Sequence, residues 1–464
     1  MSEAYDLDAF KAALNGIRVH DDAKYREARS RDYFWYSPIL NEQLKDKLGD
    51  LIVVPDSVEE VMQVASLIAR HRIPLTLRGG GTGNYGQCVP LEGGVIMDLT
   101  RLNRVIEVTE GHVRVEAGAR ISRLDDAARE TGQELLMYPS TRQMATIGGF
   151  IAGGSGGIGS LRHGMLRDPG NVTYAKVITV ESEPKVIELR DGDIQKVQHA
   201  YGTNGIVVEL GLALTPATDW IHTAALFDGY DTALRFAIDA QEGGLDCYLL
   251  TAVERRFAPY YKKFGDLFPA DRDAIFAMVA PDEMDRFTRE AGARGGKVSF
   301  AMTKSGISDA GLQPAYECGW NHTTLQALKA DKSWTYLQVA YPRPFDSKLV
   351  IQQMQRYGDE IYWHHEMARM DGEIQVFALP LVTYRGKTAM YELIAELEAI
   401  DGCTIYDPHV VTIEDGGMKE IDDSQIAFKK RADPYGLMNP GKTRGWSADM
   451  ARRDDTTFQQ GEKA

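Results

Sequence analysis

The chain has 464 residues, 44% hydrophobic and 26% charged, which supplies a full core and rules out a disordered tail. Acidic residues outnumber basic ones by 67 to 52, a formal charge of −15, and this argues against a nucleic-acid partner, which selects a basic surface. At roughly 150 residues per domain the length suggests about three domain-sized units, or two larger ones.

The opening MSEAYDLDAFKAAL is acidic and amphipathic, without the basic-then-apolar order of a secretion signal. No run of about eighteen apolar residues is present to span a membrane. Cys88, Cys247, Cys318 and Cys403 lie far apart with no C-x-x-C pair, as expected of free thiols in a reducing compartment. These features predict a cytoplasmic protein with no transmembrane segment.

Residues 1–45 read as an N-terminal helical segment. Residues 51–54 (LIVV) then form a short buried strand that ends at Pro55. Ser57 caps the next helix, with Glu59 and Glu60 near its positive end and Val58, Val61, Met62, Ala65 and Ile68 as its apolar stripe. A second strand at 74–77 runs straight into Arg78-Gly79-Gly80-Gly81-Thr82-Gly83-Asn84. Strands at 95–99, 105–108 and 113–116 and a helix at 121–130 precede a second glycine stretch, Ala145 to Gly159. Strands at 177–180, 186–189 and 206–214 complete this region. Nineteen of the 45 glycines fall between Gly79 and Gly170. Glycine at that density weakens regular elements and suits a backbone that must approach a ligand closely.

Beyond Trp220 glycine thins and aromatic residues rise. Helices are predicted at 232–241, 347–356 and 388–399, alternating with extended runs at 335–341 and 373–382. The divisions expected are 46–218, 219–430 and a terminal segment 431–464, which carries the glycine- and proline-rich stretch from Asp433 to Lys442.

Two stretches match G-x-G-x-x-G, at Gly81 to Gly86 and at Gly154 to Gly159. A dinucleotide fingerprint requires a helix that opens at its glycines. Pro90 blocks such a helix after the first match, and Gly164 and Pro169 cut it short after the second. No Gly-Lys-Ser/Thr follows, so a Walker A loop is absent as well. What remains is a loop of consecutive N–H groups that forms an anion-binding concavity. Hydrogen bonds to a charged acceptor contribute roughly 1.5–3 kcal/mol each, so three or four would hold a pyrophosphate without a lysine.

With Val54-Pro55 before a helix, Pro74 to Asn84, Pro139 to Gly159, Tyr201-Gly202-Thr203-Asn204-Gly205-Ile206 and Asp433 to Lys442 in this order, the chain resembles the FAD-binding flavoproteins of the vanillyl-alcohol oxidase / p-cresol methylhydroxylase superfamily. Within it the chain is most similar to the D-2-hydroxyacid dehydrogenase and glycolate oxidase FAD-subunit branch. The resemblance implies an α+β fold: a two-subdomain FAD-binding (PCMH-type) domain, an α/β cap for substrate, and a C-terminal segment that returns to the FAD domain. It implies that Arg78, Gly79, Gly80, Gly81, Thr82, Gly83 and Asn84 form the loop for the FAD pyrophosphate. Pro139, Ser140, Thr146, Gly148, Gly149, Gly153 and Ser155 would line the isoalloxazine and ribityl side. Pro55, Gly205 and Ile206 would meet the adenine half, and Asn439 the flavin ring. Where relatives carry a flavin-linked His or Cys, this chain has Gly81, Thr82 and Met144, so FAD is expected to be non-covalent.

A flavin oxidoreductase needs a base beside the ring, and histidine suits it because its pKa lies near working pH. His409, in Asp407-Pro408-His409, is the first choice, followed by His322 and His365. The Gly-Glu-His-Gly motif of the hydroxyacid branch and its His-x-Gly-Asp-Gly-Asn-x-x-His pattern are absent. His365-Glu366-Met367-Ala368-Arg369 fails the H-E-x-x-H pattern at Arg369, so no metal is assigned. Arg343 and Arg385 flank extended cap segments and are the expected binders of a substrate carboxylate, which arginine grips bidentately. The expected function is oxidation of a 2-hydroxy acid or related alcohol. The alternatives are a phenol-type oxidase and an electron-relaying flavin subunit. The partners expected are a small-molecule substrate, an unassigned electron acceptor and a second copy in a homodimer.

Overall fold

In this computed structural model, which describes residues 5–451, the short hydrophobic runs of the first half become the strands of two sheets. The first contains β1 (Arg18–His20), β2 (Leu51–Val54), β3 (Leu75–Arg78) and β4 (Val95–Asp98) in the order β1-β2-β4-β3. β2 and β3 both run parallel to β4, while β1 is an antiparallel edge. The crossover from β2 to β3 is the helix Val58–His71, whose N-cap Ser57 accepts from Glu60 N and whose C-cap Arg72 is left-handed. Val61, Val64, Ala65 and Ile68 are buried against the sheet, each such side chain contributing about 1.5–3 kcal/mol relative to exposure.

The second sheet is antiparallel, in the order β5-β6-β10-β8-β9. Its strands are β5 (Val105–Thr109), β6 (His112–Glu116), β8 (Val172–Ile178), β9 (Val186–Arg190) and β10 (Ile206–Pro216), and β7 (Gln133–Leu135) pairs with the end of β10. The second half folds around an eight-stranded sheet in which every pairing is antiparallel. Helices Tyr230–Glu242, Met284–Ala293, Ser347–Tyr357 and Lys387–Ala399 share a core with one face of it. Tyr248, Leu249 and Met278 of that sheet pack instead with Val113, Leu210 and Leu212 of the second sheet, which brings the two halves face to face across a cleft.

Three expectations of local structure need correction. The segment 1–45 is not helical alone, because Arg18–His20 pairs with β2; three residues are too few to show a period. The run 335–341 divides between two sheets, Trp334–Tyr336 in a small three-stranded one and Val339–Ala340 in the large one. Likewise 373–382 breaks around Pro380, which has no N–H for a ladder, into Glu373–Ala378 and Leu381–Thr383. Of the terminal segments, residues 1–4 and 452–464 lie outside the described residues. Among the described residues no helix is long and apolar enough to cross a membrane.

The C-terminal segment returns to the first sheet. Leu75 N donates to Leu437 O at 2.8 Å and Asn439 N to Leu75 O at 2.6 Å. Asn439 is 1% exposed and has φ +41°, and its Nδ2 donates to Gln87 O at 2.7 Å and Tyr201 O at 2.6 Å. Asn439→Ala leaves two buried carbonyls without that donor and is expected to cost about 2–4 kcal/mol. Urea denaturation measures this; a loss under about 1 kcal/mol would show that the segment is anchored elsewhere.

Candidate functional site

A cleft of about 470 Å³ runs between the two halves, a size suited to a cofactor or substrate. Its floor is main chain. β3 delivers Arg78 and the loop 79–84, and none of these glycines has room for a side chain. A methyl on Gly79 would overlap Thr146 Oγ1, on Gly80 the carbonyl of Met144, on Gly81 the Arg78 guanidinium and on Gly83 the Gln87 amide. Gly81 also has φ +65°. The facing strap, 144–157, contains the helix Ile147–Gly153, whose cap Thr146 accepts from Gly149 N. Gly148 lies against Ala117, its ideal Cβ 2.8 Å from Ala117 O, so here glycine serves close packing as well as the cleft.

Buried charge supports this loop from behind. Arg78 is 6% exposed, donates from Nη1 to Arg29 O at 2.9 Å and Arg31 O at 2.7 Å, and has no partner at Nε. Asp32 and the fully buried Lys442 lie beside it, and Lys442 Nζ donates to Gly86 O at 2.5 Å. Burial raises the Asp32 carboxyl against the pull of Lys442 and Arg78, and lowers Lys442 against the pull of Asp32. Cys88 closes the group, its Sγ 3.2 Å from Arg78 Nη1 and its thiol pushed up by burial to about 11.

At another wall stand His199, Tyr201, Asn204 and Gly205. His199 is 2% exposed with φ +47°. Its Nδ1 lies 3.0 Å from both Gly154 O and Ser155 Oγ, and its Nε2 has no partner. Burial lowers its pKa to about 3, so the ring is neutral. Nδ1–H donation to the Gly154 carbonyl leaves Nε2 as an acceptor. His199 carries no motif of its own and was not expected here, although it lies two residues before the Tyr201-Gly202-Thr203-Asn204 stretch.

The opposite wall comes from the second half. The helix Asn321–Ala330 presents His322, Leu325 and Lys329, spaced three and four apart and so on one face, and Trp320 and Asn321 precede them. His322 Nδ1 and Asn321 Oδ1 are buried without hydrogen-bond partners. Burial, with a smaller push from Lys329, lowers His322 to about 4. Tyr85 joins this end, its hydroxyl raised well above its usual value by burial, and the neighbouring Asn84 Nδ2 donates to Tyr336 Oη at 2.5 Å.

Of the residues expected around a cofactor, all line the cleft except Pro55, Ile206 and Asn439. Pro55 follows β2. Ile206 points into the core beside Ile178 and Val180, which leaves its neighbour Val207 to face the cleft. Asn439 acts one layer back, through Gln87 and Tyr201. Of the three histidines, only His322 is brought to the cleft. His409 is 1% exposed, with Nδ1 2.7 Å from Ser37 Oγ. His365 lies on the helix-covered face of its strand, stacked on Trp363 with Nδ1 2.8 Å from Tyr230 Oη. Arg343 pairs with Asp371 and Glu373, and Arg385 with Glu360; neither lines the cleft.

Arg167 is half-buried, close enough to Asp168 to feel its charge, and is not among the residues that line the cleft. Its loop is fixed to the cleft wall by Leu166 N donating to Ser155 O at 2.9 Å.

Residues 49–188 match the family model described as an FAD binding domain. D-lactate dehydrogenase of Anaerostipes hadrus is 30% identical over 182 residues, 36% of this chain and 37% of that protein. Glycolate oxidase subunit GlcD of Bacillus subtilis is 28% identical over 206 residues, 41% of this chain and 43% of that protein. The matched stretch thus spans about two-fifths of the length of these curated relatives. Among solved structures, an alkyldihydroxyacetonephosphate synthase superposes with a TM-score of 0.71 at 15% identity, covering 95% of this chain and 86% of that one. The 4-ethylphenol oxidase from Gulosibacter chungangensis superposes with a TM-score of 0.67 at 17% identity, covering 97% and 99%. At such identities the likeness is one of fold.

Proposed function

We propose that this chain, whose residues 49–188 are an FAD-binding domain, is an FAD-dependent oxidoreductase that oxidises a small 2-hydroxy acid or related alcohol. The observation that carries the reading is one cleft lined by main-chain glycines from the first half and by His322 from the second. The chemistry FAD supplies when bound is acceptance of the two electrons. The glycine-rich loop 79–84, with Arg78 and Lys442 behind it, fits its diphosphate, and the neutral His199 at the cleft wall suits one of its hydroxyls. The cofactor is held non-covalently: neither Gly81, Thr82 nor Met144 forms the link, and the buried Cys88 thiol stays protonated.

In this reading the imidazole of His322, which burial keeps uncharged near neutral pH, takes the substrate hydroxyl proton. Lys329, at the cleft wall, replaces Arg343 and Arg385 as the positive charge offered to the carboxylate. The relatives named for D-lactate and glycolate favour this substrate class. A second reading, oxidation of a phenol or aromatic alcohol, is favoured by Tyr33, Tyr36, Tyr85 and Trp320 in the cleft wall.

Anaerobic titration of the FAD-loaded protein with 2-hydroxy acids and aromatic alcohols tests both. Bleaching of the flavin band by a hydroxy acid is the expected result. Bleaching by aromatic alcohols alone selects the second reading. Bleaching that requires a partner subunit marks a relay subunit, and a flavin that no compound reduces ends all three.

A further inference from the structure

Trp320 has φ +51° and ψ −143°, a region that side-chain-bearing residues avoid and that costs about 1–3 kcal/mol to occupy. It is also the N-cap of the helix that carries His322, with no side-chain cap of its own. Something must hold it there. Its N–H donates to Glu366 Oε1 at 2.6 Å.

Glu366 is 0% exposed. The same Oε1 accepts from Thr251 Oγ1 at 2.8 Å and lies 2.6 Å from His364 Nε2. Thr251 and Glu366 are direct partners on adjacent strands, so the acceptor is fixed to the sheet from two sides. Gly319, just before Trp320, passes so close that a Cβ would stand 3.1 Å from Oε1. A carboxyl oxygen buried in the middle of the sheet thus reaches out to one main-chain amide at the cleft wall.

We propose that Glu366 is a positioning residue that holds the Trp320 backbone in its strained conformation and so sets how Trp320, Asn321 and His322 face the substrate. The inference rests on reading the cleft as the active site. His364 supports it from the same strand face by donating Nε2–H, and Thr251 from the neighbouring strand. Glycine at 320 adopts this backbone without strain, so Trp320→Gly relieves the need for the clamp.

Coupling between the two positions tests this. In the FAD-loaded protein Glu366→Ala is expected to speed amide hydrogen exchange across residues 317–325 at least about tenfold, with 79–86 unchanged and FAD affinity within about twofold. It should raise KM for the best hydroxy acid of the panel about tenfold or more. Glu366→Gln, which keeps the acceptor, should recover most of both effects. In a Trp320→Gly background Glu366→Ala should add less than about threefold to KM. A full-sized Glu366→Ala effect in that background, or exchange at 317–325 that matches wild type, would overturn the proposal. If Glu366→Ala does not fold, Thr251→Val reads the same exchange at one lost donor. The exchange readout needs no turnover, so a chain that oxidises none of the panel yet loosens at 317–325 fails the functional reading and keeps this one.

Discussion

His322→Ala is expected to slow reduction of the bound flavin about 10²–10⁴-fold, the usual worth of a positioned general base, with FAD affinity unchanged. His322 lies on the second-half helix, across the cleft from the glycine loop, and its Nδ1 is buried with no other partner. Burial has moved its pKa down to about 4, and this fixes the sign of the pH dependence. A base must be unprotonated to act, and a depressed pKa keeps it so throughout the neutral range. The rate of flavin reduction should be flat from about pH 8 down to pH 5 and fall roughly tenfold per unit below about pH 4. Stopped-flow reduction at several pH values measures it. A variant that reduces its flavin at the wild-type rate removes His322 from the mechanism, and a rate that falls with an apparent pKa near 6.5 means the histidine is solvated in the working state.

Gly80→Val should give a folded but colourless protein. The new Cβ would overlap the Met144 carbonyl oxygen and come within 3.0 Å of Met144 C and 3.1 Å of Ala145 Cα. These are main-chain atoms of the strap across the cleft, so the loop itself must move. Displacing two donors that each contribute roughly 1.5–3 kcal/mol to a charged acceptor weakens FAD binding by about 3–6 kcal/mol, or 10²–10⁴-fold. Gly192→Ala is the control, since nothing lies within 4 Å of that position. Flavin fluorescence titration of both variants reads the difference.

The cofactor half was legible because its signals are local. Four-residue hydrophobic runs, Ser57 at a helix start and glycines without a following helix each constrain the backbone within a few residues. The facing wall was not. The alternation rule placed His364 and His365 on opposite faces, but only the packing shows that His365 faces the helices while His364 turns toward Glu366 and Phe257. His409 has the more suggestive local sequence, yet Ser37, 372 residues away, takes its Nδ1. The arginines were no more legible: Arg343 and Arg385 find carboxylates away from the cleft, which only the folded chain reveals. Glu366 carries no motif at all, and its meaning appears only with the backbone angles of Trp320.

The most direct measurement is FAD titration of the stripped protein. Acid precipitation should release any bound flavin into the supernatant, since no covalent link is expected. Refolded or gently deflavinated protein should then quench added FAD to a sharp end point at one per chain, turn yellow, and lose that capacity in the Gly80→Val variant. Correctly folded protein that remains colourless at saturating FAD would contradict the account.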